Sequence, residues 1–111
     1  MTRETPRQIL ERRSLGRCEW CGQAEGREVH HRKFRSRQGG DGLGNLVLLC
    51  GFGNTSGCHG RAHTEAGEAT RLGFTVPSWG DPTATPVYLA AWRLWALLQD
   101  DGDFVFTDPS P

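Results

Sequence analysis

The sequence is poor in the residues that build a large hydrophobic core. Leu, Ile, Val and Phe together make up 22 of its 111 residues, which is near the lower limit for a domain that folds by apolar burial alone. The formal net charge is zero, so the composition does not predict full disorder. These features predict one small domain that needs a cross-link or a metal ion to hold it together.

Long apolar segments are also absent. The longest apolar run, Val87 to Leu98, is interrupted by Arg93 and is too short to cross a bilayer. The N-terminal residues lack the apolar centre of a secretory signal. We therefore expect a cytoplasmic protein without membrane association, whose thiols stay reduced.

Lysine is nearly missing, since Arg supplies all but one of the 13 basic side chains. The zero net charge conceals an uneven distribution. Residues 1–40 carry ten basic residues against five Glu, whereas residues 41–111 carry three Arg against eight acidic residues. A basic half beside an acidic half suggests a face that meets a polyanion, although the charges alone favour an ordinary solvated surface.

The first two thirds of the chain predict two helices and two strands. Thr5 and Pro6 begin a helix that Gly16 ends after Leu15. Short strands are predicted over residues 27–32 and 46–50, with an exposed Gly-rich loop from residue 34 to residue 45 between them. A second helix is predicted from about residue 58 to residue 71 and is closed by Gly73.

The C-terminal part has a different character. Residues 76–82 form a Pro/Gly-rich turn, and we expect two or three short strands between residues 87 and 106. A helix over Leu89 to Leu98 is the alternative, because that run is rich in Ala and Leu. Residues 107–111 are predicted to be disordered.

Four cysteines form two pairs. Cys18 and Cys21 are separated by two residues, Cys50 and Cys58 by seven, and 28 residues lie between the pairs. Paired thiolates brought together from two turns bind zinc tetrahedrally in a closed structural site. The second spacing is longer than usual, so disulfides or buried thiols remain the alternatives, but a reducing compartment and a small core favour zinc.

All four histidines fall in two short segments. His59 and His63 are four residues apart on the predicted helix, so their imidazoles share a face and can bind one metal ion. His30 and His31 are adjacent on a strand and point to opposite sides, so one can join the metal while the other has a different task. Asn45 precedes the second strand, where its amide can brace the loop that carries His31.

In this order the motifs resemble those of HNH endonucleases, of the His-Me (ββα-metal) superfamily, particularly the HNH proteins of actinobacterial phages. The resemblance covers residues 18–63 through the cysteine pairs, the double histidine, the middle Asn and the helical histidines. It implies an α+β fold: a small ββα-metal core stapled by zinc, with an N-terminal helix and a short C-terminal β extension. The corresponding segments are residues 1–17, 18–72 and 73–111.

The resemblance also implies a role for each motif residue. His31 corresponds to the general base and Asn45 to the residue that holds the loop carrying it. His30, His59 and, in some relatives, His63 correspond to ligands of one catalytic divalent cation, which is Mg²⁺, Mn²⁺, Ni²⁺ or Zn²⁺. The structural Zn²⁺ site corresponds to the four cysteines, Cys18, Cys21, Cys50 and Cys58. A polar residue exposed on the helix is the alternative for His63.

The implied activity is hydrolysis of DNA phosphodiester bonds, and the implied partners are DNA and components of a phage terminase. Such chemistry needs a base near neutral pKa and a cation that offsets phosphate charge. Four basic residues directly after His31 are placed to grip backbone phosphates, unless they form a solvated loop: Arg32, Lys33, Arg35 and Arg37. A DNA-binding module without catalysis would show a damaged histidine set, and a zinc-ribbon adaptor would not need His31 or Asn45.

Overall fold

The computed structural model describes residues 4–53 and 55–108 and shows a small α+β protein. The helices are α1, Pro6–Ser14, α2, Gly57–Thr64, and α3, Ala66–Leu72. One antiparallel sheet pairs β1, Glu28–His31, with β2, Leu46–Leu49; a second has the order β3-β4-β5, from Val87–Leu89, Leu94–Leu98 and Phe104–Phe106. The predicted α+β class is confirmed at this level.

Helix α1 begins and ends where its sequence predicts. The Thr5 hydroxyl accepts a hydrogen bond from the Gln8 amide, and the Gln8 side chain accepts one from the Thr5 amide, which satisfies two amides that the first turn leaves unpaired. Leu15 adopts a left-handed conformation, and Gly16 donates its amide to the Glu11 carbonyl. Leu10 is buried against Leu46 and Leu48, so α1 covers one face of β2.

Strand β2 lies at the centre of the fold, because apolar side chains project from both of its faces into buried clusters. Leu46 and Leu48 pack towards α1, whereas Val47 and Leu49 belong to the larger core. This explains why all four residues are buried and why the strand shows no alternation of apolar and polar residues. Pairing with β1 sets His30 opposite Val47 and His31 opposite Leu46.

The single helix predicted from residue 58 to residue 71 is wrong in one respect, because the structure contains two helices. Glu65 leaves the helical conformation and joins them: its amide closes α2 on the Arg61 carbonyl, and its carbonyl accepts from Ala69 in α3. Gly60 and Gly67 weaken the preference for one continuous helix. Gly73, with φ 87°, ends α3 as predicted.

The C-terminal region forms strands, and the helical alternative for Leu89 to Leu98 is wrong. Arg93 has a positive φ of 53° in the turn between β3 and β4, and buried residues alternate along both strands, which a helix would not allow. The Thr107 amide donates to the Trp95 carbonyl, so predicted disorder does not begin at residue 107. Residues 109–111 lie outside the described part of the chain.

The C-terminal sheet shares its core with the rest of the chain. Val87, Leu89, Ala96 and Leu98 belong to the same buried cluster as Val47, together with Phe74, which stacks on Trp20 at 5.0 Å between ring centroids. The segment boundaries proposed from the sequence stay predictions. Among the described residues, no helix has both the length and the apolar character needed to cross a membrane.

Candidate functional site

The four cysteines form one cluster. Their sulfur atoms all lie within 4.8 Å of one another, and none of them forms a disulfide. In each pair the amide of the second cysteine points at the first sulfur: Cys21 N lies 3.5 Å from Cys18 Sγ, and Cys58 N lies 3.4 Å from Cys50 Sγ. The two cysteine pairs therefore lie in turns with the same amide-to-sulfur contact, and the folded chain brings these turns together, as the sequence predicts.

The long spacing between Cys50 and Cys58 is taken up by a loop that folds back on itself. Gly51 and Gly57 both have positive φ, 99° and 61°, and their backbones are in contact, so a Cβ on Gly57 would lie 2.5 Å from the Gly51 Cα. Only glycine fits two such positions. The loop thereby brings Cys58 back to Cys50 in the same relation that two intervening residues give Cys18 and Cys21.

The cysteines of this cluster shift one another's pKa values. A hydrogen bond from Cys58 lowers the pKa of Cys18 to about 5. The same bond raises the pKa of Cys58, and burial adds to that rise. Burial also raises the pKa of Cys50. Four sulfurs this close together are compatible with a bound metal ion such as zinc, which four thiolates bind tetrahedrally.

A second cluster contains three of the four histidines. One ring nitrogen from each of His30, His59 and His63 lies within 4.8 Å of the others. His30 comes from β1 and is buried, whereas His59 and His63 come from successive turns of α2. The spacing of four residues therefore places both helical imidazoles on the side that faces β1.

Hydrogen bonds determine which ring nitrogens of this cluster carry protons. His30 Nε2 lies 3.0 Å from the Phe74 carbonyl oxygen, which can only accept, so Nε2 carries the proton and Nδ1 keeps its lone pair. His59 Nδ1 lies 2.7 Å from Glu28 Oε1, which leaves the lone pair on Nε2. A histidine that ligates a metal ion commonly donates its other nitrogen to a carboxylate or carbonyl in this way.

Burial favours the neutral form of two histidines in this cluster. It lowers the pKa of His30 to about 4, and it also lowers the pKa of His63. The neutral imidazole is the form that binds a metal ion. In contrast, the hydrogen bond from His59 holds the pKa of Glu28 below its usual range, so this neighbour is ionised at neutral pH. The residues present therefore fit a divalent cation held by imidazole nitrogens.

His31 contacts a different set of partners, as its place next to His30 on the strand predicts. Its Nε2 lies 2.8 Å from Asp41 Oδ1 and 3.4 Å from Arg35 Nε. The shorter contact requires a proton on Nε2, so this nitrogen cannot also accept from Arg35, and in the neutral ring the lone pair is on Nδ1. The hydrogen bond lowers the pKa of Asp41. Nevertheless His31 and the three clustered histidines line one cavity of about 250 Å³, together with Val29, Phe34 and Arg35.

Asn45 braces the loop that follows His31, which itself lies at the end of β1. Its Oδ1 accepts a hydrogen bond from the Lys33 amide at 2.7 Å. Its Nδ2 donates to the Lys33 carbonyl at 3.0 Å and to the Gly40 carbonyl at 2.8 Å. The side chain is buried, so these bonds hold both ends of the loop between Lys33 and Gly40.

The prediction that Arg32 grips phosphate is wrong, because this side chain is fully buried. Its guanidinium donates to four backbone carbonyls at 2.8 Å, those of Gly73, Gly44, Pro82 and Thr85. Arg32 therefore joins the end of β1 to α3 and to the C-terminal region. Sequence position alone cannot distinguish such a residue from its exposed neighbours.

The other three basic residues lie at or near the surface. Lys33 is partly buried and donates to the Gly80 carbonyl at 3.1 Å. Arg35 is exposed and lies 3.5 Å from Asp41. Arg37 is exposed, and its guanidinium carbon lies 5.0 Å from the centre of the Phe34 ring. All three lie in the loop between His31 and Asn45, and Arg35 is the one of them that lines a cavity with the histidines.

Sequence reasoning assigned no role to three residues that contact the histidines: Glu28, Asp41 and Phe34. Glu28 carried a usable signal, because residues two apart on a strand share a face and Glu28 precedes His30 by two. Asp41 and Phe34 lie in the loop, and no periodicity relates them to His31 or to His63. Their positions emerge only from the folded chain.

Comparison of the chain with protein-family models, with curated proteins and with solved structures finds no match. The two clusters and the cavity beside them are therefore the basis for a functional conclusion.

Proposed function

We propose that this protein is a metal-dependent HNH endonuclease of the His-Me (ββα-metal) superfamily that hydrolyses DNA phosphodiester bonds. The observation that carries the proposal is the cavity in which His31 lies beside the cluster of His30, His59 and His63. A base and a cation site within one cavity are the two components that phosphodiester hydrolysis needs. The order of β1, β2 and α2 around it supports the ββα assignment.

His31 is the general base in this proposal. Because Asp41 accepts the proton on Nε2, the lone pair of Nδ1 is available to take a proton from the attacking water. The carboxylate of Asp41 also stabilises the imidazolium that forms, as in other carboxylate–histidine pairs. Asn45 contributes indirectly, because it holds the loop that carries Asp41 and Arg35.

His30, His59 and His63 would hold the divalent cation. When bound, the cation offsets the charge that develops on the phosphate and on the leaving oxygen. Neutral imidazole ligands leave its positive charge undiminished for that purpose. The exposed loop arginines add positive charge for the DNA backbone.

The experiment that tests this function is nicking of supercoiled plasmid across a series of divalent cations, with and without EDTA. His31→Ala should lower the cleavage rate about 10²–10⁴-fold, the contribution of a general base, while cation and DNA binding persist. His59→Ala should weaken cation affinity in calorimetry, and excess cation should partly restore cleavage. Ser36→Ala, an exposed change in the same loop, is the matched control and should behave as wild type.

Two outcomes would contradict the proposal in different ways. If cation affinity falls in His31→Ala but not in His59→Ala, the two roles are reversed. If wild-type protein binds DNA but no cation supports cleavage, the chain is a DNA-binding module without catalysis.

We further propose that the cysteine cluster holds one structural zinc ion. Four thiolates form its preferred closed tetrahedral site, and the sparse apolar composition leaves stability dependent on it. Elemental analysis of purified protein should find one tightly held zinc per chain, retained in His59→Ala and lost in Cys18→Ser. Removal of zinc without loss of helicity or thermal stability would contradict the proposal.

A further inference from the structure

The basic residues after His31 differ in what their side chains already contact. Arg32 is buried, Lys33 donates to Gly80, and Arg35 shares Asp41 with His31. Within residues 4–53 and 55–108, the Arg37 guanidinium has neither a hydrogen bond nor an ion pair, and its contact is with the ring of Phe34. Its hydrogen-bond donors are therefore available to a ligand outside the protein.

Phe34 contacts Arg37 and the histidine cluster with the same ring. It stacks on His63 with 5.6 Å between centroids and 17° between planes, and it meets His30 edge-on at 6.1 Å. His63 is the most exposed of the clustered histidines, so a flat neighbour limits the rotamers it can adopt. The short helical turn after Phe34 returns Arg37 to the ring, because the Phe34 carbonyl accepts from the Arg37 amide at 2.9 Å.

We propose that Phe34 is a positioning residue that aligns Arg37 for a substrate phosphate and His63 for the divalent cation. The proposal rests on the nuclease function above. It adds that Arg37 is the basic residue that contacts the DNA backbone and that Phe34 holds it in place. A guanidinium stacked on an aromatic ring keeps its donors outward, and its planar fork suits a phosphate oxygen pair. Ordering the side chain in advance reduces the entropy lost on binding.

The first arm of the test measures DNA binding without added divalent cation over a range of salt concentrations. Arg37→Ala should lower affinity about tenfold and reduce the slope of log K against log salt by about 0.9, the value for one lost phosphate contact. Phe34→Leu keeps an apolar side chain but removes the ring, and it should give part of that loss. In the double variant the two losses should not add, because both remove the same aligned contact. Phe34→Tyr should restore binding.

A matched pair elsewhere in the chain controls for a general loss of charge or of an aromatic contact. The Arg27 guanidinium carbon lies 5.1 Å from the ring of Phe52, which is 61% exposed and does not line the histidine cavity. Arg27→Ala and Phe52→Leu should therefore leave affinity and salt slope close to wild type. Equal effects of Arg27→Ala and Arg37→Ala, or additive effects of Phe34→Leu and Arg37→Ala, would overturn the proposal.

The second arm measures Ni²⁺ affinity by calorimetry. Phe34→Leu should weaken Ni²⁺ binding several-fold in the wild-type background and have no effect in a His63→Ala background, because the ring acts through His63. An equal effect in both backgrounds would show a merely structural role and overturn the inference. Both arms read binding, so they remain informative if the plasmid assay shows no cleavage; a wild-type protein that binds no DNA would refute the phosphate contact itself.

Discussion

His59 on α2 donates a hydrogen bond from Nδ1 to Glu28 Oε1 on β1 at 2.7 Å. The carboxylate holds the imidazole through Nδ1, so Nε2 is the nitrogen left for a metal ion, and the bond joins the helix to the first strand. Since the pKa of Glu28 lies below its usual range, the carboxylate stays ionised at neutral pH and strengthens its partner as an electron donor.

Glu28→Gln should therefore weaken divalent-cation affinity about 10–100-fold, the usual effect of removing a carboxylate that orients a metal ligand. The variant keeps the size of the side chain but cannot provide the charge. Calorimetry with Ni²⁺ provides the measurement. Glu25→Gln is the control, because Glu25 is 74% exposed and pairs only distantly with Arg27. Unchanged affinity in Glu28→Gln would show that the hydrogen bond does not serve a metal ligand.

Asn45→Asp should loosen the loop after His31. The new carboxylate can still accept from the Lys33 amide, but it loses both donor bonds and faces the carbonyls of Lys33 and Gly40 instead. We expect faster hydrogen exchange of amides in residues 34–40, together with slower DNA cleavage. Wild-type exchange in this loop combined with slow cleavage would assign Asn45 a direct part in the reaction rather than a bracing one.

Arg13→Met should destabilise the protein by about 3–5 kcal/mol, because it leaves the Glu19 carboxylate buried without its cationic partner. Both side chains are 2% exposed, the pair is bidentate, and Glu19 also accepts from the Leu48 amide. Urea unfolding measures the change. Arg12→Met, a change on the same helix, removes an exposed ion pair with Glu4 and should cost far less. Similar decreases in unfolding free energy in the two variants would mean that the buried ion pair contributes no more to stability than the exposed one.

Acidification should destabilise the fold between about pH 6.5 and pH 4 when no divalent cation is added. Burial lowers the pKa of His30 to about 4 in the folded chain, whereas an unfolded histidine titrates near 6.5. Between these values the unfolded state binds more protons, so stability is complete above pH 6.5 and falls as pH decreases, by roughly 1 kcal/mol per unit for one such group.

Unfolding free energies at pH 7 and pH 5.5 test this dependence. His30→Gln removes the titrating group while it retains a donor for the Phe74 carbonyl, so its stability should change less over the same interval. Because the pKa of His63 is also lowered, the unfolding free energy of this variant should still decrease with decreasing pH, but by less. If the unfolding free energy of His30→Gln falls as much as that of wild type between pH 7 and pH 5.5, a group other than His30 is responsible for the pH dependence.

Local spacing was enough to predict much of this protein. The cap at Thr5, the turn at Cys18 and Cys21, and the shared helical face of His59 and His63 each depend on residues within one or two turns of each other. The strands of the C-terminal region were also predicted from the sequence. For the cap, the cysteine turn and the helical histidines, backbone geometry links sequence distance directly to position in space.

Only the tertiary structure decided which polar residues are buried and which partners they meet. Arg32 and Arg37 look alike in the sequence, yet one donates to four internal carbonyls and the other rests on Phe34 at the surface. The carbonyls that surround Arg32 come from Gly44, Gly73, Pro82 and Thr85, so no local pattern anticipates them. Burial and charge pairing depend on segments far apart in the chain, and these come together only when the two sheets and the helices pack against one another.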